Sequence, residues 1–256
     1  RHIARRLHAE GAELLAFGRD ESKLIDLRDE LETRIVFLAV DLATEKGIDA
    51  AYSCARKHWT HLDVLINNFA IQGPIGCLWE NSVNEWARTI ETNLIAPVNL
   101  CRVIAPWMIA RGSGRIVNIS GGGAATPRPN FSAYSASKAG LVRFSETLSE
   151  ELRPHNVTVN CIAPGEMMTD MHKDIVAAGP SAAGKNEYEK SKVLLKGEEK
   201  IPMKALDLIT FFSSKASAEI TGKLISAIWD PWETIFGNLD KLDSDIYTLR
   251  RITPKD

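Results

Sequence analysis

The 256-residue sequence has no uninterrupted run of about 18 apolar residues, so no membrane-spanning helix is expected. Its four cysteines, Cys54, Cys77, Cys101 and Cys161, are widely scattered. No pair has metal-ligand spacing, and a chain of this size does not need a disulfide framework. They read as reduced thiols of a cytoplasmic protein, and no metal site is expected. Net charge is also nearly lacking, at −2. That leaves no electrostatic case for nucleic acid or an anionic membrane as partner. No internal repeat and no low-complexity linker divides the chain. The opening methionine is missing too: the sequence starts at Arg1, and Ile3, Ala4 and Leu7 already stand at helical spacing, with Gly11 as a stop. The chain is long enough to bury one large core, so residues 1–256 read as a single α/β domain.

Apolar runs at 12–17, 34–40, 62–67, 114–120, 156–163 and 222–229 read as strands. Helices are expected over 45–59, over 82–110 with a kink at Pro97, and over 132–153. Continuous apolar strands alternating with helices imply a parallel sheet covered on both faces. Residues 171–200 are polar, helix-prone and broken by Gly179, Pro180 and Gly184, as an inserted substrate flap would be. Residues 231–256 form a C-terminal extension. Trp229, Trp232 and Phe236 around its start suit core packing, a subunit interface or a roof over a pocket.

In doubly wound sheets, ligands bind beyond the carboxyl ends of the strands. Those ends carry "GRD" at 18–20, Asp41–Leu42, "NNFA" at 67–70, "SGGGA" at 120–124 and "PGEMMTDM" at 164–171. Small, amide and acidic residues of this kind suit a nucleotide site. Downstream, "AYSASK" at 133–138 places Tyr134 and Lys138 four residues apart, on one face of a helix. A lysine there favours the phenolate and makes tyrosine a usable acid/base, whereas a free phenol near pKa 10 is a poor one. Alone, the pair fits a solvated helix surface equally well.

Together, "LDVLINN", "ETNLIAPV", "GRIVNIS", "AYSASKAGLVRFSETLSEEL", "VTVNCIAPG" with Thr169, and "ITGKLI" give a more specific pattern. In this order and spacing the chain resembles the short-chain dehydrogenases/reductases over nearly all of residues 1–230. The resemblance implies a Rossmann-type doubly wound parallel sheet, a nicotinamide cofactor and hydride transfer between a hydroxyl and a ketone. It implies Tyr134 as acid/base and Lys138 as its tuner and holder of the nicotinamide ribose. It implies that Asn93 distorts the long helix locally and fixes a water in a proton relay. On the cofactor, it places Asn67 beside the adenosine half, Asp41 with Leu42 at the adenine, and Pro164, Gly165 and Thr169 at the nicotinamide. NAD-preferring members carry an acidic residue where this chain has Gly18, followed by Arg19, which can pair with a 2′-phosphate. The reading therefore favours NADP(H) over NAD(H), with Asp20 counting against it. A small-molecule substrate and a homodimer or homotetramer complete the implied picture.

Three departures qualify it. The family's opening strand and glycine-rich phosphate loop are absent, and "RHIARRLHAEGA" resembles the helix that follows them. The missing strand would lie between the strands at 12–17 and 62–67, so the sequence reads as part of a longer reading frame. The family's catalytic serine lies thirteen residues before the tyrosine, where this chain has Gly121. Ser120, Ser132 or a backbone N–H could serve instead, with Ser120 the named candidate for oxyanion partner. Phe69 stands where the family has a small residue, and its ring could crowd the cofactor or turn into the core. The expected function is an NADP(H)-dependent oxidoreductase. The alternatives are a non-catalytic dinucleotide-binding scaffold, which Gly121 favours, and a dehydratase or epimerase using the same Tyr–Lys pair.

Overall fold

The protein is described by a computed structural model covering residues 1–32, 34–167, 169–197, 202–237 and 245–251. The first half alternates helix and strand: α1 (His2–Ala9), β1 (Leu14–Gly18), α2 (Glu21–Leu31), β2 (Ile35–Ala39), α3 (Glu45–His58) and β3 (Val64–Asn67). Then come α4 (Val83–Ile90), a π-helical segment over Glu91–Ile95, α5 (Ala96–Arg111), β4 (Gly114–Ile119), α6 (Ser132–Leu152) and β5 (Val157–Ala163). The chain continues through α7 (Asp170–Ala183), α8 (Lys185–Lys196), α9 (Met203–Ser213), β6 (Leu224–Ser226) and the short α10 (Trp232–Ile235). Local chemistry fixes several boundaries. Asp20 and Thr44 cap α2 and α3 by accepting from the Lys23 and Gly47 amides. Gly112, at φ 68°, closes α5 in the left-handed region.

All described strand pairs are parallel, in an α/β Rossmann-like arrangement, but they form two sheets. β1 pairs with β2, and β3-β4-β5-β6 run in that order. β1 and β3 exchange no ladder, although Leu15 of β1 and Leu65 of β3 pack on the same apolar cluster. The interruption falls where the sequence places the absent strand.

The core is built around β4 and β5. On one face Val117, Ile119 and Ile162 meet Leu208, Ile209 and Phe212 of α9. On the other, Ile116 and Val159 meet Cys101, Ile104 and Met108 of α5. Each such fully buried side chain contributes about 1.5–3 kcal/mol of burial free energy. The strands lie within two residues of expectation except the last. The run 222–229 yields only Leu224–Ser226, because Ala227–Trp229 turn and the Asp230 carboxylate accepts the Ser226 amide at 2.6 Å.

Two further expectations need correction. The break in the long helix is the π segment, not a kink at Pro97. Pro97 follows just after that segment inside the continuous helical run, where its missing N–H removes one intrahelical donor. Although the sequence has no uninterrupted apolar run of that length, the continuous helical run Val83–Arg111 is long and apolar enough, by length and composition alone, to cross a membrane. Half of its most apolar window is buried inside the fold, and α5 supplies the core residues named above.

Residues 171–200 fall mainly in α7 and α8, with 198–200 outside the described residues. Gly179 breaks α7 (φ 81°), and Gly184 separates it from α8. Of the extension, 238–244 and 252–256 lie outside the described residues. Trp232 is buried in the α9 cluster and Phe236 stacks on Phe211 at 5.3 Å. Trp229 is 82% exposed.

Candidate active site

α6 settles whether "AYSASK" is a solvated surface, because its Tyr134 and Lys138 face inward, 8% and 2% exposed. The Lys138 Nζ donates to the Ile119 carbonyl at the end of β4, at 2.7 Å. It lies 5.8 Å from the Tyr134 ring centroid. Burial pushes the Lys138 pKa down to about 8. Burial also pushes the Tyr134 phenol above its ordinary value, and the nearby charge of Arg128 opposes that rise.

The Tyr134 hydroxyl rests against Gly121: a Cβ built there would lie 2.4 Å from Oη. The position that could carry a serine is thus filled by the tyrosine itself. Ser120 comes one residue earlier, its amide bonded to the Ile162 carbonyl in continuation of the sheet. Side chains alternate along a strand, so Ser120 shares a face with Asn118, whose amide donates to Ser145 on α6. The Ser120 hydroxyl is buried and has no protein hydrogen-bond partner. A buried orphan hydroxyl is costly unless something bonds it, which makes it available to a ligand. Ser132 is otherwise engaged, accepting from Trp86 Nε1 at 3.1 Å.

Asn93 lies in the π segment and is fully buried. Its amide bonds the Ile71 backbone in both directions, at 2.8 and 2.9 Å, and donates to Ser137 of α6. It therefore ties the loop after β3 to the helix that carries Tyr134. The local widening of the helix is what brings this side chain inward.

The other named residues are spread along the strand ends. Asn67 is buried and donates to Asn118 Oδ1 at 2.8 Å, which occupies its amide N–H between β3 and β4. Asp41 is exposed and accepts the Ala43 amide. Leu42 is a core residue with Ile48, Ala51 and Leu100, so it offers a ligand its backbone rather than its side chain. Arg19 is exposed, just past β1. Its neighbour Asp20 is committed to the α2 cap and to the Ser22 hydroxyl, bonds that lower its pKa. Pro164 is buried. Gly165 has φ 86°, and a Cβ there would lie 2.5 Å from Ile228, so the turn accepts little else. Thr169 precedes α7, exposed, with no capping bond from its hydroxyl. Phe69 turns into the core beside Leu42 and Leu100.

Sequence reasoning passed over Arg128, which lies over the Tyr134 ring at 5.7 Å, and Gln72, whose buried Nε2 has no partner. The signal for Arg128 was a lone arginine between Pro127 and Pro129.

Comparison with known proteins gives the family. A family model described as short chain dehydrogenase matches residues 1–179. The chain belongs to the short-chain dehydrogenase/reductase family. The chain is 35% identical to the 3-oxoacyl-(acyl-carrier-protein) reductase FabG of Chlamydia muridarum over 88% of this chain and 89% of that protein. It is 31% identical to nodulation protein G of Rhizobium meliloti over 87% of this chain and 88% of that one. Among solved structures, YwfH, an NADPH-dependent reductase involved in bacilysin biosynthesis, superposes with a TM-score of 0.76 at 24% identity. It covers 88% of this chain and 90% of that one, a likeness of fold. As a short-chain dehydrogenase/reductase, the chain is an NAD(P)-dependent oxidoreductase acting on CH–OH groups of small molecules.

Proposed function

We propose that this short-chain dehydrogenase/reductase is an NADP(H)-preferring enzyme that interconverts a ketone and a secondary hydroxyl, with Tyr134 as acid/base. The supporting observation is Tyr134, a buried residue whose hydroxyl lies against Gly121, the residue that follows the unpartnered Ser120 hydroxyl. A bound nicotinamide would supply or accept the hydride. The chain's own residues do the rest. Tyr134 gives a proton to the nascent alkoxide or takes one from the alcohol. Lys138, fixed by the Ile119 carbonyl, favours the phenolate when protonated. Ser120 donates to the substrate oxygen as charge develops. Asn93 holds the loop after β3 against α6.

The residues fit a dinucleotide best at its nicotinamide end: the orphaned Ser120 hydroxyl, the glycine at 165 and the uncommitted Thr169 side chain follow the paired strands β4 and β5. Arg19 would meet a 2′-phosphate, and the engagement of Asp20 as a helix cap removes its objection. Asp41, the Leu42 backbone and Asn67 would face the adenosine half. We assign residues 1–256 to one domain in which 171–200 acts as a substrate flap and 231–256 as an extension. A homodimer or homotetramer, and a reducing cytoplasmic setting for its four free thiols, complete the proposal. The name of the FabG relative points to β-ketoacyl compounds as one substrate class to screen.

Gly121 favours a second reading, a dinucleotide-binding scaffold with little turnover. Titration of tryptophan fluorescence with NADPH and then NADH, together with turnover on a ketone panel, separates the two. Tyr134→Phe should lower turnover by about 10²–10⁴-fold with little change in NADPH affinity. Retained turnover would refute the assignment. Product formation without net NADPH change would point instead to a dehydratase or epimerase.

A further inference from the structure

The loop between β4 and α6 carries Arg128 between two prolines. Its guanidinium carbon lies 3.9 Å from the Phe131 ring centroid and 5.7 Å from that of Tyr134. Ile175 and Ala183 of α7 pack into the same cluster as these two rings. The Arg128 side chain is 18% exposed, and its Nη2 donates to Glu187 of α8 at 2.5 Å. His172 of α7 bonds Ser191 of α8 nearby, and the Arg128 charge adds to burial in lowering its pKa. A half-desolvated, always-charged fork thus stands over the candidate proton donor. The carboxylate it holds belongs to a segment broken by two glycines.

The fork that fastens α8 through Glu187 also reaches the cluster of Phe131 and the acid/base Tyr134. A planar fork there matches a carboxylate in a bidentate way, and partial burial strengthens the pairing. We propose that Arg128 anchors a carboxylate of the substrate and that Glu187 occupies the anchor until substrate displaces it. This rests on the reading of Tyr134 as acid/base and names the substrate class: oxo or hydroxy acids with a short chain between the carboxylate and the reacting carbon. The Glu187 carboxylate marks where the substrate's own carboxylate binds. Displacement moves α8, and the chain has joints for it at Gly179 and Gly184, both at positive φ. A Cβ at Gly179 would meet nothing within 4 Å, so that joint is open on its outer side.

The test is calorimetric binding of straight-chain carboxylates from butyrate to octanoate, and of the matching neutral amides. It uses the wild-type chain, Glu187→Gln and Arg128→Gln, all with NADPH present. The wild type should prefer carboxylate to amide by about tenfold. Glu187→Gln should raise carboxylate affinity by about another tenfold, because the internal competitor is gone. Arg128→Gln should bring the preference close to unity. Equal affinity for carboxylate and amide in both wild type and Glu187→Gln would overturn the proposal and leave the pair as a fastener of α8. So would no detectable binding of either ligand to Glu187→Gln, a variant whose result does not depend on Arg128→Gln folding. Turnover of oxo acids and neutral ketones separates this inference from the one beneath it. Carboxylate preference without turnover sinks the reading of Tyr134 as acid/base and leaves Arg128 as a carboxylate anchor only. Turnover without carboxylate preference sinks the anchor alone.

Discussion

The two sheets of this molecule are packed very differently. In the four-stranded sheet, β5 is buried at six of its seven positions and β4 at five of six. In the two-stranded sheet, every residue of β1 is only partly buried, and β2 ends exposed. Parallel sheets are normally buried on both faces, and β1 lacks a ladder on the side toward β3. Part of the proposed cofactor site lies on each sheet, with Asn67, Gly165 and Thr169 at strand ends of the four-stranded one. Tyr134, Lys138 and Ser120 belong to the well-packed part, whereas Arg19 and Asp41 follow β1 and β2. Among the described residues, the proton-transfer residues therefore sit on the more deeply buried sheet and the proposed cofactor selector on the less buried one. Loss of cofactor selectivity at Arg19 and loss of the catalytic arrangement should be separable.

The strongest way to break this comparison is a pair of core truncations. Phe212→Ala, in the α9 layer over β4 and β5, should destabilise by about 3–5 kcal/mol in chemical denaturation. Phe17→Ala in β1 should cost about 1–2 kcal/mol, because less of its ring leaves water on folding. Equal losses would mean that the two sheets form one cooperative core.

Lys138 sharpens the comparison through pH. Its folded pKa of about 8 lies below the ordinary lysine value of 10.5, so between these limits the unfolded chain binds more protons. Stability should rise with pH through that window, level off below it, and be opposed above pH 10 by the raised Tyr134 pKa. Lys138→Met should remove the rise in melting temperature between pH 8 and pH 10. A rise that persists in the variant would assign it to another group.

Gly121→Ser probes the smallest difference. Its new side chain would collide with the Tyr134 hydroxyl, an overpacking cost of about 1–3 kcal/mol, and turnover should fall. Higher turnover would show that the hydroxyl at 121 is the better oxyanion partner and Ser120 is not.

Much of this was legible in the sequence because continuous apolar runs such as "RIVNI" and "VTVNCIA" have few alternatives to a buried strand. The Tyr134–Lys138 spacing gave the pair, and the helical distortion at Asn93 followed from the family resemblance. Other features depend on contacts that no local window holds. Periodicity cannot tell the buried helix at Met203–Ser213 from a buried strand, since apolar residues stand on most of its sides. The inward turn of Phe69 depends on Leu42 and Leu100 meeting it. Arg128 gained meaning only through Glu187, far along the chain. The shortness of β6 came from one side chain, Asp230, taking a strand amide.

Native-state hydrogen exchange of the chain tests the central contrast most directly. The amides of Ile116–Ile119 and Val159–Ile162 should exchange only by global unfolding, while those of Leu15–Phe17 and Val36–Leu38 exchange roughly a hundredfold faster. Equal protection in β1, β2, β4 and β5 would contradict the account, since the cofactor-selecting strands would then share the stability of the catalytic ones.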